Sequence, residues 1–222
     1  MVETFDNLIS SEQLAWFRND FNQLINVNPV DRPYDPVDAK RIYDVDDCSV
    51  LDRRHIVQPG TVAYNTMIDI LSTVIPRGTY FYMAYQRQFL PHQFHVDEVY
   101  EHTDLNYAKS AVVPLYDNPN NIFKTIIWDK VCLTNASLHE FFKEYSNDSS
   151  KFPAISNVSQ TEDVDHCWGG PPYLVDAMPL DGVYDYQLGS IGMFDRTHIH
   201  CSSNWRKYKT IDHKDIIILH IG

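Results

Sequence analysis

The sequence changes texture near Gly78, and that change limits the possible folds more than any other feature. Upstream, apolar residues recur at helical spacing. Leu14, Phe17, Phe21, Leu24 and Ile25 line one face of residues 10–25, with Ser10 or Ser11 placed to cap the helix. Val62, Met67, Ile68, Ile70, Leu71 and Val74 repeat the pattern before Pro76 and Gly78 stop a second helix. Between the two, residues 27–59 hold four of the twelve prolines and many aspartates, and read as an irregular connection. Downstream the apolar residues fall into short β-type runs at 79–85, 111–116, 123–128, 189–194 and 215–221. One short helix at 137–145 interrupts them, and 147–187 reads as loop. Helices first and strands later predict one α+β domain over 1–222. Residues 1–78 form a helical support, and 79–222 form an antiparallel sandwich or barrel.

Within the β-rich part, His95 and Asp97 are separated by one residue. On an extended segment, side chains two apart point the same way, so an imidazole and a carboxylate converge. One further histidine would complete a 2-His-1-carboxylate facial triad, which holds Fe(II) and leaves three coordination positions free. His198 and His200 offer that histidine, although spacing alone cannot bring residue 200 to residue 97. His92 and a second His-x-Asp, His102 and Asp104, are alternatives on the proximal side.

Charge and cysteine content narrow the function classes. A formal net charge of -12 argues against a phosphate-backbone ligand, which needs a basic footprint, so no nucleic-acid partner is expected. No apolar run approaches membrane-span length, so no membrane partner is expected either. The four cysteines contain no Cys-x-x-Cys. The first residues show neither a basic n-region nor an apolar h-region, and the expected location is cytoplasmic with reduced thiols.

The order of these pieces resembles the Fe(II)/2-oxoglutarate-dependent oxygenases, particularly small prolyl-hydroxylase-like enzymes and relatives encoded by marine viruses. The matching pieces are Tyr85 on a strand, then Pro91-x-x-x-His95-x-Asp97. Val113-Pro-Leu115 and Thr125-Ile-Ile-Trp-Asp129 follow. The last are Phe194-Asp-Arg-x-x-x-His200, Ser203-Asn-Trp205 and Lys214 opening the final strand. The likeness covers roughly 79–222. It implies a double-stranded β-helix (jelly-roll, cupin-like) core with the N-terminal helices packed on it.

By that resemblance His95, Asp97 and His200 are the iron ligands, with Lys214 pairing the C5 carboxylate of 2-oxoglutarate. Tyr85 would hydrogen-bond the same carboxylate, and Lys209 or Arg206 would replace Lys214 if the loop were short. The implied activity is hydroxylation of a peptidyl side chain, proline for example, or of a small molecule. It consumes O2 and 2-oxoglutarate and releases succinate and CO2. Two other classes remain open: a cupin-like metal enzyme that uses no 2-oxoglutarate, and a non-catalytic jelly-roll binding module.

Overall fold

The computed structural model describes residues 2–76, 81–97, 108–147 and 179–222. Two antiparallel sheets face each other. The larger has seven strands in the order β1-β8-β5-β10-β4-β3-β2. These are β1 (Glu3–Phe5), β2 (Val30–Pro33), β3 (Val50–Ile56), β4 (Phe81–Gln88), β5 (Lys109–Pro114), β8 (Ile191–Asp195) and β10 (Lys214–Ile221). The smaller is β7-β6-β9, made of β6 (Lys124–Val131), β7 (Leu180–Asp185) and β9 (His198–Ser202). The fold is the expected one: an antiparallel jelly-roll core with few helices.

Strand parity divides the chemistry of the large sheet. Phe81, Met83 and Tyr85 on β4, and Ile217, Leu219 and Ile221 on β10, face outward into a core with α1 (Ser11–Leu24) and α3 (Val62–Leu71). Those helices supply Leu14, Phe17, Phe21, Met67, Ile70 and Leu71, all buried. Ser10 caps α1: its hydroxyl accepts from the Gln13 amide, and the Gln13 side chain accepts from the Ser10 amide. The opposite face, carrying Gln86, Gln88, Ile216, Ile218 and His220, looks into the space between the sheets. The small sheet is covered on its far side by α4 (Asn135–Asn147), where Leu138 packs with Ile126, Trp128, Ile199 and Cys201.

Gly192 on β8 lies where the two layers approach closely. A Cβ built there would lie 2.3 Å from the Tyr184 ring, so only glycine leaves room for that tyrosine.

Two expectations are corrected. Residues 27–59 are not irregular: they contain β2, α2 (Pro36–Tyr43) and β3. Pro36 opens α2 and the Asp35 side chain accepts from the Val37 amide. β3 lacks the usual apolar alternation because its inward residues are polar, Asp52 and Arg54. The stretch 147–187 is likewise not all loop, since β7 pairs with β6 across residues 180–185. Residues 148–178 lie outside the described part, and with them most of that stretch.

Candidate active site

The segment Pro91 to Asp97 is fixed from three directions. The Tyr43 hydroxyl on α2 donates to the Pro91 carbonyl at 2.8 Å. The amides of Phe89 and Leu90 both donate to Leu51 O on β3. The remaining contacts come from β9 and the turn before it: Ser202 N donates to His92 O, and Asp97 N to Arg196 O, each at 3.0 Å. His95 and His200 exchange both backbone hydrogen bonds, at 3.0 Å each, and their ring centroids lie 4.2 Å apart. Val96, between His95 and Asp97, turns away into the apolar cluster beneath α4. Parity therefore sends His95 and Asp97 to one side.

Among the described residues, the ligand-capable atoms of His95, Asp97 and His200 all lie within 4.8 Å of one another. Each imidazole is oriented by its own chain: His95 Nδ1 lies 2.8 Å from Gln93 O, and His200 Nδ1 lies 2.8 Å from His198 O. A carbonyl only accepts, so both Nδ1 atoms carry a proton, and Nε2 is the ring position each histidine offers to a metal. His200 Nε2 faces Asp97 Oδ2 at 3.5 Å. That donor set asks for a cation, and its softness and charge suit Fe(II). Burial, with help from the neighbouring His200 and His92, holds His95 well below the ordinary imidazole range. Burial opposes ionisation of Asp97, but His220, His200, His95 and the Ser110 hydrogen bond together outweigh it and hold the carboxyl far down. Neutral imidazoles and an ionised carboxylate are the forms that bind a metal.

A further pair braces the carboxylate. The Ser110 hydroxyl donates to Asp97 Oδ2 at 2.5 Å, which spends its one proton. Its contact with His220 Nδ1, at 3.1 Å, is then one in which the ring donates. Nothing in the sequence reading singled out Ser110 or His220. The available signal was parity: residues 214, 216, 218 and 220 share one face of β10.

Lys214 occupies the other end of that face. It is 2% exposed, with Nζ 3.2 Å from Ser202 Oγ and 3.3 Å from the Tyr186 hydroxyl, which in turn lies 2.9 Å from Thr125 Oγ1. Among the described residues no carboxylate pairs with it, and burial pushes the ammonium down to about 7. Tyr186, Ser202 and Thr125, around the Lys214 ammonium, line one cavity together with His95, Asp97 and His200.

The other sequence candidates separate clearly. Tyr85 is a correction: it faces the outer core, where its hydroxyl donates to Asp20 Oδ2 at 2.6 Å, on the wrong side of β4 to reach the cavity. Lys209 lies on the surface, paired with Asp44 at 2.6 Å. Arg206 donates to Ile211 O at 2.8 Å. His198 Nδ1 lies 3.6 Å from Asp181 Oδ2, outside the triad. His92 Nε2 donates to Asp52 Oδ2 at 2.8 Å, and its ring packs edge-on against His95. His102 and Asp104 fall outside the described residues. No described helix is long and apolar enough to cross a membrane.

No protein-family model matches this sequence, and no curated protein matches it. Solved structures do match in fold. The 2-oxoglutarate-dependent epimerase SnoN from nogalamycin biosynthesis aligns with 98% of this chain and 76% of its own, at 9% identity and a TM-score of 0.58. The carbocyclase SnoK from the same biosynthesis gives 0.56 at 11% identity, over 99% of this chain and 78% of its own. HygX from Streptomyces hygroscopicus, solved with nickel and 2-oxoglutarate, gives 0.52 at 12% identity over 100% and 82%. The likeness is one of architecture: the jelly-roll core of 2-oxoglutarate oxygenases.

Proposed function

We propose that this protein is an Fe(II)- and 2-oxoglutarate-dependent oxygenase that hydroxylates a small molecule or a peptidyl side chain. One observation carries the reading: buried Lys214, with no carboxylate partner among the described residues, contacts the Tyr186 and Ser202 hydroxyls, which line the same cavity as the His-Asp-His group. Either feature alone has a structural explanation. Together they match the two ends of a 2-oxo acid, one carboxylate for Lys214 and a chelating 2-oxocarboxylate for a metal. The architecture agrees, since HygX is solved with nickel and 2-oxoglutarate and SnoN with Fe3+ and 2-oxoglutarate.

In this reading His95 and His200 bind iron through Nε2 and Asp97 through its carboxylate. Ser110 and His220 hold that carboxylate in place, and Lys214, Tyr186 and Ser202 receive the distal carboxylate. Bound iron with 2-oxoglutarate and O2 supplies an oxidant able to break an unactivated C–H bond. One oxygen atom goes to succinate and the other to the hydroxylated product, with loss of CO2. The chain itself orients the metal ligands and places a carboxylate-sized cradle beside them. Complexes of SnoN with nogalamycin RO and of HygX with hygromycin B favour the small-molecule branch. A prolyl-4-hydroxylase from Pseudomonas putida, at a TM-score of 0.50 and 8% identity over 99% of this chain and 91% of its own, keeps the peptidyl branch open.

The test is anaerobic optical titration of metal-free protein with Fe(II), then with 2-oxoglutarate. A visible charge-transfer band that needs both components, and is lost in His95→Ala and Asp97→Ala, is the expected result. Iron binding without a band would transfer the site to a metal enzyme that uses no 2-oxo acid. No iron binding would leave only a jelly-roll binding module.

A further inference from the structure

The hydrogen bonds leading away from Lys214 run in one direction only. An ammonium can only donate, so Lys214 Nζ donates to Ser202 Oγ at 3.2 Å. Ser202 passes its proton to Gln88 Oε1 at 3.3 Å. That contact identifies the oxygen of the Gln88 amide, whose nitrogen then donates to Gln86 Oε1 at 3.4 Å. The chain ends at Gln86 Nε2, a buried donor on a residue 1% exposed, with no acceptor among the described residues. An unmet donor at this depth is costly unless a ligand completes it.

The residue beside that donor is charged. Arg54 pairs with Gln86 across β3 and β4, and both line the cavity. Arg54 Nε donates to Asp52 Oδ1 at 2.9 Å, while Arg32 approaches Asp52 Oδ2 at 3.4 Å. Two guanidiniums thus share one carboxylate. This corner is locally positive in a chain whose net charge is -12.

We propose that Arg54 and Gln86 form a second carboxylate-binding subsite, which anchors the primary substrate. A guanidinium beside an amide N–H matches the two oxygens of a carboxylate. A group with a single negative charge fits better than a phosphate dianion, which the overall acidity repels. The inference rests on the oxygenase reading: 2-oxoglutarate then spends one end on Lys214 and the other on the metal, leaving Arg54 and Gln86 for a different molecule. The primary substrate is accordingly a carboxylic acid, held with its reacting carbon toward His95, Asp97 and His200.

The test uses full-length protein loaded with Ni(II) and saturating 2-oxoglutarate, titrated with propionate and with propionamide by calorimetry. Propionate is expected to bind and propionamide to bind at least about tenfold more weakly, because the charge-assisted contact is lost. Gln86→Glu, which keeps the acceptor for Gln88 but replaces the free donor with a negative charge, is expected to weaken propionate at least about tenfold. Arg54→Gln is expected to do the same, with Arg54→Lys recovering part of the loss. Both losses should occur at unchanged 2-oxoglutarate affinity. If Arg54→Gln does not fold, Gln86→Glu decides alone. Equal propionate binding in wild type and Gln86→Glu, or none in wild type, overturns the subsite. A loss of 2-oxoglutarate affinity in place of propionate affinity also overturns it, by giving these donors to the co-substrate. If Ni(II) and 2-oxoglutarate fail to bind at all, the oxygenase reading is what has failed. Propionate is then titrated alone against Lys214→Met, and sensitivity to Gln86→Glu in that background upholds the subsite while insensitivity overturns it.

Discussion

His95 and His200 are joined twice through their backbones, each amide donating to the other's carbonyl at 3.0 Å. Two candidate ligands separated by more than a hundred residues are therefore held in register by main chain, independent of any side-chain contact or bound ion. The consequence is that ligand side chains can be removed without dismantling the site's frame.

Asp97→Ala tests that separation. It should abolish tight Fe(II) or Ni(II) binding while leaving the melting temperature within a few degrees of wild type, because the backbone contacts of residue 97 remain. Metal titration with a parallel thermal melt reads both. Retained metal with an unfolded protein would mean that another residue supplies the carboxylate.

Ser110→Ala removes the hydroxyl that links Asp97 to His220. Loss of a partner that orients a ligand lowers metal affinity by about 10- to 100-fold in comparable sites. The same titration checks this, and an unchanged affinity would reduce Ser110 to a packing residue.

Lys214 makes a prediction about pH. Its folded-state value is lowered to about 7, whereas an unfolded lysine titrates near its ordinary value of 10.5. Between these limits the unfolded chain binds the extra proton, so stability of the ligand-free protein rises with pH from about 7 toward 10. The slope approaches one proton, about 1.4 kcal/mol per pH unit. Lys214→Met should remove that slope in urea melts, raise stability at neutral pH, and cost the protein its 2-oxoglutarate affinity. A slope that survives the substitution belongs to another group.

Tyr85→Phe separates the sequence-based role of this residue from its place in the fold. Loss of a hydrogen bond to a carboxylate should lower stability by about 1–3 kcal/mol. The affinity for 2-oxoglutarate should not change, because the ring lies on the far side of β4. A weakened co-substrate would show that the hydroxyl reaches the cavity after all.

Gly192→Ala places a methyl against the Tyr184 ring. Overpacking of this kind costs about 1–3 kcal/mol. Because Tyr184 packs on Tyr186, which contacts Lys214, the substitution should weaken 2-oxoglutarate binding more than metal binding. Equal losses would point to a general loosening of the fold.

What the sequence could show followed local periodicity. The helix at 10–25 was legible from its apolar spacing and its serine cap, and the His95–Asp97 convergence from a two-residue interval. The pairing of residue 95 with residue 200 was not, since no local rule specifies a partner so far along the chain; only the family resemblance pointed there. Tyr85 was misplaced because the run 79–85 is rich in aromatics on both faces, and the polar Gln86 and Gln88 that mark the cavity side lie just beyond it. Asp52 and Arg54 were missed for the opposite reason. Their strand lacks apolar alternation because its inward residues are polar, Arg54 lining the cavity and Asp52 pairing with it, so the stretch read as surface loop. His220 was missed because it sits at the end of a strand that reads as core; its even-numbered relation to Lys214 was the one signal available.

That relation makes β10 a ruler. Lys214 and His220 lie on one face of one strand, six residues apart, a separation of roughly 20 Å set by backbone geometry. Pairing with β4 on one side and β5 on the other leaves the strand no freedom to slip. A single inserted or deleted residue between them would swing Ile217 and Leu219 toward the cavity and turn one of the two polar ends into the apolar core. Substitutions along β10 can retune this cavity, but a change in its length cannot. Diversification of the cavity by insertion is therefore confined to the loops at its rim.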